Sequence, residues 1–144
     1  VPTPTLSEKG TQHPGGTYVG ALGWDIGHGG YREVYDTLRM ASSLQIVENP
    51  YCPGLERWAL GAHLICAYST YEDTCQGDSG GPLFIADNPL SGNLSKGNPH
   101  IDLILGIVSF GPAACARGRG GAYTRVSDMR DWIDAIIEGK TYFE

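Results

Sequence analysis

A chain of 144 residues is long enough to enclose one hydrophobic core, and 18% charged residues is too few for a disordered or highly charged segment. A formal net charge of −6 and a pI of about 5.1 make the surface acidic, which disfavours a nucleic-acid backbone as partner. The 21 glycines and 9 prolines suit short strands joined by tight turns better than a helical bundle.

Residues 1–16 are rich in Pro, Gly and Thr and read as an extended linker over the surface, with no signal-peptide pattern; an export signal is expected upstream. Thr17 to Leu22 forms a strand ending at Gly23-Trp24, followed by a glycine-rich turn over 25–30. Leu38 to Val47 is a longer strand with Leu44 and Ile46 on one face. Asn49-Pro50 offers a cap with proline after it, so one helical turn is expected near Tyr51-Cys52. Further strands are expected at Leu64 to Ala67, Pro82 to Ile85, Ile101 to Phe110 and Ala122 to Val126. Ile101 to Phe110 is the longest apolar run; Asp102 and Gly106 interrupt it, and it is too short to cross a bilayer. Asp87 to Pro99 has no apolar periodicity and reads as an exposed loop. Met129, Trp132, Ile133, Ile136 and Ile137 recur with helical spacing, so a helix closes the fold, capped by Ser127 or Asp128 and ended by Gly139. The expected architecture is all-β: a six-stranded antiparallel Greek-key barrel over 17–138 with a C-terminal α-helix, then a tail over 139–144.

The four cysteines, Cys52, Cys66, Cys75 and Cys115, include no C-x-x-C pair, which favours disulfides over zinc and leaves three connectivities open. Asn93-Leu94-Ser95 is a glycosylation sequon inside the loop. Both features point to an oxidising, extracellular setting for a secreted protein.

Residues 73–82 read Asp-Thr-Cys-Gln-Gly-Asp-Ser-Gly-Gly-Pro. A catalytic serine needs a base and a pocket for developing negative charge. Glycines around Ser79 let the backbone bend until the N–H groups of Gly77 and Ser79 face a common point, where one good donor lowers a barrier by about 3–4 kcal/mol. Gly77-Asp78-Ser79-Gly80-Gly81 also satisfies the G-x-S-x-G pattern of α/β-hydrolases, but that elbow needs a strand before the serine and a helix after it. Gly80-Gly81-Pro82-Leu83-Phe84 cannot begin a good helix, and no alternation of strands and helices surrounds it.

The ten-residue string resembles the chymotrypsin/trypsin family of serine proteases, and the likeness covers about residues 17–138. Gly23-Trp24 is similar to that family's strand-end motif, although Asp25 stands where a glycine is usual. Cys52 and Cys66 are spaced like a family pair. Ile107-Val108-Ser109-Phe110-Gly111 resembles the family's substrate-backbone strand, and Gly121 to Val126 the strand behind its pocket. The resemblance implies disulfides Cys52–Cys66 and Cys75–Cys115, Ser79 as nucleophile, and Gly77 with Ser79 as oxyanion hole. It implies Asp78 as partner of a freshly cut amino terminus, and Ser109 and Gly111 as binders of substrate main chain. Asp73 would floor a pocket for Arg or Lys, with Gly111 and Gly121 keeping its mouth and wall open. Substrates are therefore expected to be proteins or peptides with Arg or Lys at the cleaved bond. Protein protease inhibitors are further expected partners; neither a cofactor nor a metal is required.

The family's chain order is His, then Asp, then Ser. None of His13, His28, His63 and His100 sits in the family's Ala-Ala-His-Cys context, so each reads as a surface or structural histidine. The base and its orienting aspartate are expected on an upstream N-terminal barrel, and the 144 residues alone are expected to be nearly inert. The alternative is a non-catalytic protease homologue acting as a binding or regulatory module.

Overall fold

The computed structural model describes residues 5–24, 37–56, 59–86, 102–112, 115 and 117–140. Its elements in chain order are Thr5–Leu6 (β1), Tyr18–Gly23 (β2), Arg39–Val47 (β3), a 3-10 turn at Asn49–Tyr51, Leu64–Tyr68 (β4), Pro82–Ile85 (β5), Leu103–Phe110 (β6), Gly121–Arg125 (β7) and Val126–Ile137 (α1). The glycine-rich turn over 25–30, the loop from Asp87 to Pro99 with Asn93, and the tail beyond 140 lie outside the described residues.

β2 to β7 form a closed antiparallel barrel in the order β6-β5-β2-β3-β4-β7, which the β6–β7 pairing completes. The hairpin-connected β2, β3 and β4 are followed by β5, which returns beside β2; that is the Greek-key pattern. Alternation along each strand builds the core from cross-strand neighbours. Val19 faces Leu44, Ile46 faces Ala67, Ile65 faces Tyr123, and Tyr123 faces Val108. All seven residues are buried. Burying one large apolar side chain contributes about 1.5–3 kcal/mol, so this ring is the main apolar source of barrel stability.

Cys66 lies between Ile65 and Ala67 and therefore projects from the other face of β4, where it forms a disulfide with Cys52 beside Leu60 and Ala122. Asn49 does not cap the 3-10 turn. Glu48 takes the cap position, and the Asn49 side chain donates to the carbonyls of Gly61 and Leu64 at 3.2 and 3.0 Å, tying the turn to the approach of β4.

Of the segment read as a surface linker, residues 5–16 are described, and several of them bond to distant elements. Thr5 and Leu6 pair in parallel with Leu103 and Ile104 of β6, and Ser7 is buried. The Arg130 guanidinium donates to the Ser7 carbonyl at 3.1 Å, Ser127 Oγ donates to the Thr11 carbonyl at 2.9 Å, and Lys9 pairs with Asp131. Two strand residues are too short a run to carry periodicity, so partners far along the chain decide this segment's path. Ser7 Oγ also meets His13 Nε2 at 2.9 Å. Burial, and then the Arg125 guanidinium, hold the half-buried His13 below the ordinary imidazole range. A depressed imidazole favours the fold only while neutral. Its contribution is complete above the unfolded pKa of about 6.5 and is lost as pH falls below that value. Thermal unfolding followed from pH 8 to pH 5 should show a decline that His13→Gln flattens; parallel curves for the two proteins would refute the role.

α1 starts at Val126, ahead of both expected caps, Ser127 and Asp128. Arg125 is the cap residue without a side-chain cap bond, Val126 and Ser127 are buried, and Asp128 adds favourable charge in the first turn. Ser127 is thus a tether to Thr11 rather than a cap. Gly139, at φ 70°, ends the helix in a Schellman arrangement, with its N–H on the Ile136 carbonyl and the Lys140 N–H on the Ala135 carbonyl. The expected apolar stripe is present but only partly covered: Trp132, Ile136 and Ile137 are exposed among the described residues.

Candidate functional site around Ser79

Ser79 sits at the corner between two consecutive tight turns. The Asp78 N–H returns to the Cys75 carbonyl at 3.1 Å, and the Gly81 N–H to the Asp78 carbonyl at 2.9 Å. Gly77 and Gly80 occupy the third position of these turns with φ of 100° and 85°, the signature of type II turns. An L side chain is strained at either place. The Asp78 carboxylate reinforces the first turn by accepting the Cys75 N–H on Oδ2 at 2.9 Å, and the disulfide to Cys115 anchors the same residue. The turn pair is fastened to β6, because Gly80 donates to the Val108 carbonyl and Val108 donates to the Gly81 carbonyl. Asp78 is buried, whereas Ser79 projects at the surface of this clamp.

Three cavities meet around these turns. One of about 200 Å³ is lined by Ser79, Thr74, Cys75, Ser109, Gly111 and Cys115, among others. Ser109 reaches it because β6 carries an extra residue: Val108 pairs with Tyr123 and Phe110 with Ala122, which takes Ser109 out of the ladder. A β-carbon added to Gly111 would lie 3.7 Å from the Gly121 Cα, so these two glycines face each other. A second cavity, about 390 Å³, lies on the other side of Ser79, between Gly77, Asp78 and the apolar Leu22, Trp24 and Leu38. No described histidine lines either cavity beside Ser79; His63 contributes its carbonyl to the Arg125 N–H, and His28 and His100 lie outside the described residues.

Asp73 lines a third cavity, about 180 Å³, together with Asp78, Glu72, Arg39 and Met40. Thr74 is the shared wall between this cavity and the one beside Ser79. Asp73 Oδ1 accepts the Thr74 N–H at 2.8 Å, and Thr74 Oγ1 lies 3.0 Å from the Tyr123 hydroxyl. Burial pushes that phenol well above its ordinary range, and the nearby Asp73 and Asp78 charges push it further, against the lowering effect of Thr74. Tyr123 is therefore a neutral hydroxyl at neutral pH. Ser79, Ser109, Gly111 and Thr74 thus share one cavity, Asp73 stands behind Thr74, and Gly77 and Asp78 border the far side.

Thr74 and Tyr123 were not singled out from the sequence. The parity of β7, which sends Tyr123 inward between Ala122 and Thr124, is the signal that could have found the tyrosine. Gly23 has a role that its strand-end position does not reveal: a β-carbon there would stand 1.9 Å from Asp78 Oδ1. Gly23→Ala must displace the buried carboxylate that braces the serine turn, and should lower stability by about 1–3 kcal/mol, read by urea unfolding. Wild-type stability in that variant would refute the close approach.

The Trypsin family model matches residues 1–133. Trypsin iota of Drosophila melanogaster is 33% identical over 135 residues, covering 91% of this chain and 46% of that protein. Glucanase inhibitor protein 3 of Phytophthora infestans is 32% identical over 127 residues, covering 87% and 44%. The kallikrein-like enzyme LV-Ka of Lachesis muta muta is 33% identical over 114 residues, covering 76% and 51%. The chain spans about half the length of these relatives.

Proposed function

Because the chain belongs to the trypsin family, we propose that it forms the nucleophile-bearing half of a serine endopeptidase that cuts after Arg or Lys. The observation that carries this reading is the placement of Ser79. It is an exposed hydroxyl at the corner of two glycine turns, opening on a cavity edged by an out-of-register strand residue. In this reading Ser79 attacks the scissile carbonyl, and the N–H groups of Gly77 and Ser79 hold the oxyanion. Ser109 and Gly111 take the substrate backbone as an added strand. The base is a histidine on an upstream barrel outside these 144 residues, with its own aspartate.

A basic substrate side chain would enter the cavity past Gly111 and Gly121, toward the Thr74 hydroxyl and the Asp73 charge behind it. The opposing pair of glycines and the electrostatic reach of Asp73 to Tyr123 support this. The acidic cavity between Gly23 and Glu72 would receive a new amino terminus on Asp78, coupling activation to the turn that carries Ser79. Two disulfides fit an extracellular protein, and among the described residues no helix is long and apolar enough to cross a membrane.

The test of specificity is Asp73→Ser in the complete protein, assayed with matched Arg, Lys and Ala substrates. The Arg and Lys preference in kcat/KM should fall by at least about 100-fold, because a basic side chain then enters without a counter-charge. An unchanged preference would remove Asp73 from the pocket.

One relative favours a second reading. A protein similar over 87% of this chain bears the name of a glucanase inhibitor, so a homologue of this barrel serves in binding another protein. On that reading the chain is part of a non-catalytic module. Serine-directed phosphonate added to the complete protein separates the two: labelling at Ser79 identifies the protease, and its absence with tight protein binding identifies the module.

A further inference from the structure

The edge of β3 holds an irregularity that the catalytic reading does not use. On β2, Val19 pairs with Leu44 and Ala21 with Ala41, so Gly20 alone lies opposite the two residues Ser42 and Ser43. Such a bulge turns two consecutive N–H groups out of the ladder and toward one side. Both converge on one oxygen: Glu72 Oε2 accepts the Ser42 N–H and the Ser43 N–H at 2.6 Å each, and the Ser43 hydroxyl at 2.9 Å. A concavity of successive N–H groups is an anion-binding shape, here filled by the chain's own carboxylate through charge-assisted bonds. A second path runs beside it, from Ser43 Oγ to Ser69 Oγ at 2.9 Å, with the Tyr71 N–H on the same Ser69 hydroxyl at 3.4 Å.

Glu72 is the residue immediately before Asp73 and Thr74. Both Glu72 and Asp73 line the acidic cavity, and Thr74 is its shared wall with the cavity of Ser79. We propose that Glu72 is a positioning residue: by filling the Ser42–Ser43 bulge, its carboxylate sets where residues 71–74 present Asp73 and Thr74 to a basic ligand. This rests on the reading of the Ser79 cavity as a pocket for a basic side chain. The specificity floor is thereby referenced to β3, across the barrel from the β6 clamp that holds Ser79.

The test uses the ¹⁵N-labelled complete protein, with benzamidine as the probe and amide spectra as readout. Wild type should bind benzamidine with shifts at Thr74, and Asp73→Ser should lose that binding. Glu72→Ala should weaken it about tenfold, while Glu72→Gln, which keeps an acceptor oxygen, should stay within about threefold of wild type. A merely structural role would lower the thermal midpoint of Glu72→Ala without moving affinity; equal affinity in wild type and Glu72→Ala overturns the proposal. If wild type itself does not bind benzamidine, the reading of the pocket as basic-specific fails instead. The proposal is then decided by amide exchange at Thr74 and Asp78, whose N–H groups are both hydrogen-bonded. Exchange faster by about tenfold in Glu72→Ala but not in Glu72→Gln supports it, and unchanged exchange overturns it. Should Glu72→Ala fail to fold, Ser43→Ala removes one of the three donors and is read in the same two ways. No change in either readout then overturns the proposal.

Discussion

On the proposed function, Ser79→Ala in the complete protein should lower peptide hydrolysis by about six orders of magnitude, leave a substrate-like inhibitor bound, and abolish labelling by a serine-directed phosphonate. The separation of these outcomes follows from the geometry of the turn pair. Ser79 projects from its corner, and the bonds that hold the corner belong to Cys75, Asp78, Gly80, Gly81 and Val108. Removing one exposed hydroxyl leaves every one of those bonds in place. Folding, and the cavity edged by Ser109 and Gly111, should therefore survive, and the circular dichroism spectrum should match wild type. Hydrolysis at the wild-type rate by the alanine variant would place the nucleophile elsewhere.

The second large effect concerns the brace behind the serine. Replacing Cys75 and Cys115 together by alanine should destabilise the barrel by about 4 kcal/mol, since a bridge across 40 residues restricts the unfolded chain strongly. Breaking Cys52–Cys66, which spans 14 residues, should cost about 3 kcal/mol by the same argument. The two bridges differ more in what they hold than in what they contribute. Cys52–Cys66 joins a 3-10 turn to β4 on the outer face of the barrel, and neither cysteine lines the cavities beside Ser79. Cys75 begins the turn that presents Ser79, and Cys115 lines the same cavity as Ser79. Guanidinium unfolding should therefore rank the variants by loop length. Phosphonate reactivity of Ser79 in the complete protein should fall sharply only for loss of Cys75–Cys115, and equal reactivity in both would deny that bridge a part in shaping the site.

The strands of the barrel and its terminal helix could be read from the chain because their signals are local. Leu44 and Ile46 alternate onto one face, and that face is the core in the structure. The helical spacing from Met129 to Ile137 needs no partner to be recognised, and the two turns around Ser79 are marked by glycine, the residue that takes a positive φ without strain. The family resemblance comes from the same contiguous strings, above all residues 73–82.

What only the tertiary structure decided involves residues far apart in the chain. Nothing near Ser7 announces that its carbonyl meets Arg130 or that its hydroxyl meets His13. The bulge at Ser42–Ser43 exists only because β2 pairs one residue short, and Glu72 reaches it from about thirty positions away. Likewise the close approach of Gly23 to Asp78, and the position of Asp73 behind Thr74, follow from barrel closure. The physical reason is the range of the forces involved. Turn geometry and periodicity are settled within a few bonds of backbone sterics, while hydrogen bonds and packing act between whatever residues the closed sheet brings within a few ångströms.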